Sequence, residues 1–130
     1  MERTDVNPWE WSKVLGFSQA VELTGVDRIL VCSGQTAMGP DGSPPETSDM
    51  GEQVRTALAN IGQVLEASGM SFADVIKATI YTTDVDALLG VYGAEIQPVQ
   101  GSNLPASTLV GVTRLAFPEL KVEIEVIAAR

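Results

Sequence analysis

An α+β domain, one sheet with two helices on one of its faces, is the architecture this sequence predicts. Three observations predict it. From Asp49 to Ser68 the apolar residues Met50, Val54, Leu58, Ile61 and Leu65 recur at spacings of four, four, three and four, which is one face of a helix. Val75 to Thr83 (VIKATIYTT) is β-branched and alternating, as is the run Leu120 to Ala129. The elements read in the order β-β-α-β-α-β-β, with no repeat and no low-complexity segment.

Taken in order, Met1 to Lys13 is a polar N-terminal arm, and residues 1–130 form a single domain. Gly16 to Leu23 alternates weakly and is followed by the turn signal Thr24-Gly25-Val26-Asp27. Arg28 to Gln35 is a strong β run, so the two are expected to pair as a hairpin. Residues 38–48 hold two glycines and three prolines and read as a loop. The first helix opens on Asp49 with Glu52 three residues on, the pattern of a capping box, and closes at Gly69, where a left-handed cap belongs. Ser71 to Asp74 suits one capped helical turn. Asp84 or Asp86 starts a second helix reaching Gln97, with Leu88, Leu89, Tyr92 and Ile96 facing inward and Pro98 ending it. Ala106 to Leu115 and Leu120 to Ala129 are the last strands, expected to face each other across a Phe117-Pro118 turn.

Composition removes several function classes. The chain has no histidine, which excludes Ser-His and Cys-His nucleophile pairs and histidine metal sites. Its single Cys32 cannot form an intrachain disulfide and, within an Ile-Leu-Val strand, reads as a small buried apolar residue. Eight Lys and Arg are scattered through a chain of net charge −9, so no basic track follows a phosphate backbone, and nucleic acid is not expected as a partner. The opening MERTDVNPWEWSK lacks an apolar signal core and no apolar run reaches 18 residues, so a cytoplasmic protein without a membrane span is expected. Hydrophobic residues make up 45% of the chain, and the sequence supplies no third layer for the second sheet face. Association between subunits would cover it.

The ordered set GFSQAV (16–21), CSGQ (32–35), QVRTALANIGQVLEASGM (53–70), VIKATIYTTD (75–84), LPAST (104–108) and VTRL…KVEIEVIA (112–128) resembles the YjgF/RidA family, also labelled endoribonuclease L-PSP-like. The resemblance implies a chorismate-mutase-like fold: a six-stranded mixed sheet packed on two helices, assembled as a homotrimer with small-molecule ligand clefts between subunits. It implies hydrolysis of reactive enamines and imines to a carbonyl compound and ammonia, with no metal or organic cofactor. The family's arginine, which grips a substrate carboxylate, falls at Ser107, within Pro105-Ala106-Ser107-Thr108. Serine cannot replace that charge. Arg114, seven residues along the expected strand, would point to the opposite face.

By the same resemblance Glu123 matches the family glutamate that places the attacking water, and is the candidate catalytic residue. Its alternative reading is a solvated or ion-paired strand carboxylate. Gly34 matches a backbone-presenting glycine, or is a strand-end glycine needed for close packing. Phe17 stands where a tyrosine is common and keeps the ring without the hydroxyl. Tyr92 stands where some members carry asparagine. With Ser107 and Thr108 these form the candidate substrate-binding set. Trp9-Glu10-Trp11 either packs its indoles on the body or a neighbour, or forms an aromatic lid. Two functions remain open: a deaminase with altered substrate range, and a non-catalytic metabolite-binding trimer. RNA cleavage, suggested only by the family's other label, is disfavoured by the acidic charge and the absence of histidine.

Overall fold

A computed structural model describes all of residues 1–130. Strands β1 (Glu2–Val6) and β2 (Ala20–Thr24) pair antiparallel, with the short helix α1 (Trp11–Val14) between them. Strand β3 (Ile29–Val31) follows, then helix α2 (Met50–Ala67), strand β4 (Val75–Thr82), helices α3 (Val85–Glu95) and α4 (Gln97–Gln100), and strands β5 (Ala106–Gly111) and β6 (Val122–Ala129). Four strands form a mixed sheet in the order β3-β6-β4-β5. The β1-β2 ribbon joins it through one parallel bridge, Ser18 to Ala106.

Local signals produce the helices where the sequence places them. Asp49 accepts a hydrogen bond from the Glu52 amide at 2.9 Å, one half of the expected box, and Gly69 closes α2 at φ +73. Ser71 and Asp74 form a complete capping box around the turn Phe72–Asp74, and Asp84, not Asp86, caps α3. Val54, Ile61 and Leu65 are fully enclosed against Ile80, Val122 and Ile124 of the sheet. Gln53 is buried with them and is satisfied at both ends. Its amide donates to the Thr47 and Glu119 carbonyls, and its oxygen accepts from the Lys121 amide at 2.9 Å. The start of α2 is thereby tied to the entry of β6.

Pairing differs from the sequence expectation in two places. The expected hairpin between Gly16 to Leu23 and Arg28 to Gln35 does not form. β2 turns back onto β1, while the Asp27 and Arg28 amides donate to the Arg130 carbonyl and β3 pairs with β6. The last two strands are not neighbours either: β4 lies between them, parallel to β5 and antiparallel to β6. The connection that carries the Phe117-Pro118 turn is long enough to pass over the end of β4, held by Val112 N–H to Thr82 and Thr83 N–H to Lys121.

Several boundaries move as well: β2 begins only at Ala20, and β3 ends at Val31 rather than Gln35. β5 stops at Gly111, so Arg114 lies beyond the strand and is exposed. Pro98 does not end the second helix; it sits in the first turn of α4, where its missing N–H costs nothing. The N-terminal arm contains a strand, pinned by Arg3, whose guanidinium donates to the Leu104 carbonyl at 2.8 Å and to that of Val75.

Helices α2 and α3 cover one sheet face. The other carries Lys77, Thr79, Tyr81, Glu123 and Glu125, with Ile29 and Val31 exposed at 65% and 72%. No helix is long and apolar enough to cross a membrane. Replacing Gln53 with Ala removes three hydrogen bonds made by a fully buried side chain, and is expected to lower unfolding free energy by about 3 kcal/mol in urea titration. A loss under about 1 kcal/mol would contradict this account of how α2 holds β6.

Candidate functional site

A pocket of about 380 Å³ opens between α3, α4 and β5. Phe17, Tyr92, Ser107 and Thr108 all line it, together with Leu15, Leu89 and Gln97. Local backbone bonds bring Phe17 there: its N–H donates to the Ser12 carbonyl at 3.1 Å, and the next amide, of Ser18, donates to Pro105 at 3.0 Å. Gly16 makes the turn at φ +85, a conformation that needs glycine. The Trp11 indole meets the Phe17 ring edge to face at 5.7 Å, so the N-terminal segment buttresses a pocket wall. Trp9 and Trp11 themselves stay more than half exposed.

Ser107 faces the helices because its cross-strand partner is Ala78, a buried residue of the helix-side face. Its hydroxyl makes only a 3.5 Å contact with the Pro105 carbonyl, which leaves it free to bond a ligand. The Thr108 hydroxyl turns the other way and accepts a 2.8 Å hydrogen bond from the Lys77 ammonium. No side chain lining the pocket is charged. The Tyr92 phenol is pushed up by burial, an effect partly offset by the nearby Gln100 side chain.

Glu123 lies elsewhere. It pairs with Tyr81, and Tyr81 and Ala78 are an odd number of residues apart on β4, so Glu123 and Ser107 lie on opposite faces of the sheet. Within one protomer the candidate set divides into Phe17, Tyr92, Ser107 and Thr108 at the pocket, and Gly34 with Glu123 on the open face.

The second group is tightly built. Gln35 exchanges two backbone hydrogen bonds with Ile124, at 2.8 and 2.9 Å, which draws Gly34 against Glu123. A Cβ on Gly34 would lie 2.1 Å from Glu123 Oε1. The glycine is required for space rather than for backbone conformation, since its φ is not positive. Asn60 of α2 donates to the Thr36 and Met38 carbonyls and holds the loop that follows. Beside Glu123, the Tyr81 hydroxyl donates to Glu125 at 2.7 Å; that bond, burial and the two carboxylates push the Tyr81 phenol up.

Cys32 is buried in the core and burial raises its thiol, which makes it a poor nucleophile. Sequence reasoning missed Gln97, Leu15 and Leu89 as pocket residues. Leu89 was expected in the core but is 57% exposed at the pocket mouth. Its one-residue offset from buried Leu88 carries no distinguishing signal in a helix apolar on several sides.

The family model described as Endoribonuclease L-PSP matches residues 11–130. The 2-iminobutanoate/2-iminopropanoate deaminase of Bos taurus is 36% identical over 88% of this chain and 80% of its own length. The Escherichia coli protein of the same name is 32% identical over 82% and 84%. Among solved structures, a protein of unknown function of the conserved Rid protein family from Yersinia pestis superimposes with a TM-score of 0.90, at 34% identity, over the full length of both chains.

Two outcomes follow from this geometry. Gly34→Ala is expected to rotate Glu123 out of place, with a stability loss of about 1–3 kcal/mol by chemical denaturation and loss of whatever turnover depends on that carboxylate. Unchanged stability and turnover would contradict the close approach. The chain's two tyrosines, Tyr81 and Tyr92, are both raised above the ordinary value of 10.0. A raised folded-state value means that each phenol stabilises the fold fully below pH 10 and loses that contribution as pH climbs through the raised value. Ultraviolet titration of the folded protein should therefore show less phenolate at pH 10.0 than the denatured chain. Coincident curves would contradict both assignments.

Proposed function

Since this chain belongs to the YjgF/RidA family, we propose that it hydrolyses imines or enamines that carry no carboxylate at the usual place, in clefts completed between the subunits of a homotrimer. The observation that carries this reading is Ser107 in a pocket without a charged lining residue. The relatives are named deaminases of 2-imino acids, whose carboxylate calls for a cation. A charged hydrogen bond contributes about 1.5–3 kcal/mol, and a serine hydroxyl offers less to an anion. The net charge of −9 further disfavours anionic substrates.

Assembly supplies the missing group. Glu123 and Gly34 of one subunit come to the rim of the pocket that Phe17, Tyr92, Ser107 and Thr108 form in the next. The same apposition buries Ile29 and Val31. In that chorismate-mutase-like trimer the β1-β2 ribbon and the four-stranded sheet act as one six-stranded layer. Hydrolysis there needs no metal or cofactor. Glu123 accepts a proton from water as its oxygen bonds to the C=N carbon, and the nitrogen takes up a proton. The carbinolamine then loses ammonia as its hydroxyl proton leaves and C=O forms, so one water is consumed for each carbonyl compound and ammonia released.

A second reading, a non-catalytic metabolite-binding trimer, is favoured by one observation: the pocket and Glu123 occupy different faces of the protomer. RNA cleavage finds no support in a chain without histidine or a basic track.

The deciding measurement is ammonia release across a panel of neutral imines and 2-imino acids. The wild type is expected to favour the neutral imines, and Ser107→Arg to gain at least about tenfold on the imino acids, the equivalent of one charged contact. Glu123→Gln should abolish both activities. No acceleration with any panel member, alongside retained ligand binding, would transfer the assignment to the binding trimer. A solution mass of a single protomer at micromolar concentration would overturn both.

A further inference from the structure

The pocket's chemistry goes beyond the loss of a cation. Its walls are apolar at one end: Leu15, Phe17, Ile80, Leu89 and Leu109, with the Tyr92 ring. Its polar groups are neutral. The Tyr92 hydroxyl has the Gln100 side chain beside it, Gln97 lines the pocket, and the Ser107 hydroxyl has only its long contact to Pro105. The volume of about 380 Å³ lies at the small end of the roughly 300–1,000 Å³ usual for ligand pockets.

Gln97 is placed at the pocket by close packing. Its Cγ and Nε2 lie 3.1 Å from where a Cβ on Gly16 would stand, and its Oε1 lies 3.8 Å from where one on Gly93 would. The contact at Gly16 is tight and the one at Gly93 is ordinary van der Waals contact, so the side chain is packed closely against Gly16, whose positive φ already demands glycine, and lines the pocket. An amide offers a donor and an acceptor with no net charge, the match for a C=O or C=NH group with its own hydrogen.

We infer that this pocket selects uncharged carbonyl or imine compounds with an aromatic or branched apolar body, and that Gln97 is the residue that recognises their polar end. The inference rests on the reading that this pocket is the ligand site and adds to it the substrate's body and the residue that reads its head group. Phe17 without a hydroxyl and Leu89 at the mouth take the apolar body, and Gln97 with Ser107 bonds the polar end. A ligand carboxylate here would be desolvated without a counter-charge.

The test is binding, read by calorimetric titration of the intact protein with three stable probes: phenylacetamide, phenylacetate and acetamide. Phenylacetamide is expected to bind on the order of tenfold more tightly than its carboxylate analogue, and at least as far ahead of acetamide, which lacks the apolar body. Gln97→Glu keeps the side-chain shape and adds a negative charge. It should weaken phenylacetamide on the order of tenfold and strengthen binding of 2-phenylethylammonium relative to the wild type.

Equal affinity for the amide and the carboxylate, equal affinity for acetamide, or no binding of any probe at millimolar concentration would each overturn the inference. So would a well-folded Gln97→Glu protein with unaltered charge preference. Because turnover is not read, the two claims separate. Selective binding without hydrolysis of any imine sinks the catalytic assignment alone, and imine hydrolysis without this selectivity sinks the inference alone.

Discussion

Strand β4 holds the rest of the structure to one arrangement. It is parallel to β5 on one side and antiparallel to β6 on the other, and both ladders run nearly its full length. Side chains alternate along a strand, so these two registers decide the face of every candidate residue at once. Ala78 carries Ser107 toward the helices, and Tyr81 carries Glu123 away from them. A one-residue slip of β6 would turn Glu123 and Glu125 into the helix-side core and expose Val122, Ile124 and Val126. The interior forbids that slip, because an unpaired carboxylate there costs far more than the register gains.

The same partition separates the candidate residues of one protomer into two groups. The helix-side pocket has apolar walls and neutral hydrogen-bonding groups, while the open face has carboxylates, Tyr81 and Lys77. Neither half has all the parts that imine hydrolysis needs. An exposed apolar edge at Ile29 and Val31, beside the half-buried acidic row, gives a physical reason for a second copy to cover this face.

Charge decides what the pocket can hold. An arginine presents a planar, permanently charged fork to a carboxylate, and few residues serve that function. Ser107 carries neither that charge nor that reach. Lys77 does not replace it, because its ammonium is engaged with the Thr108 hydroxyl on the far face, and Arg114 does not, because β5 ends before it. The segment that holds Phe17 is firmly placed: Gly16 makes the turn, and Trp11 braces the ring.

Much of the fold was legible in the residues because it rests on interactions between near neighbours. The face from Met50 to Leu65, the caps at Asp49, Ser71 and Asp84, and the stop at Gly69 all act within four residues of one another and appear where the spacing puts them. The alternation of Glu123 and Glu125 with Val122, Ile124 and Val126 likewise foretold an apolar and a polar side to β6. Strand partners were not legible. Pairing β3 with β6, or placing β4 between β5 and β6, joins segments far apart in sequence, and nothing in a strand's own residues names its neighbour. The same holds for Gln97 and Leu89, whose place in the pocket depends on Gly16 and β5 arriving from elsewhere in the chain. By itself the sequence determined the principal helices and strands from Asp49 onward and the family. Only the tertiary structure decided that Ser107 and Glu123 face apart, because cross-strand register is set by packing over the whole sheet rather than by local preference.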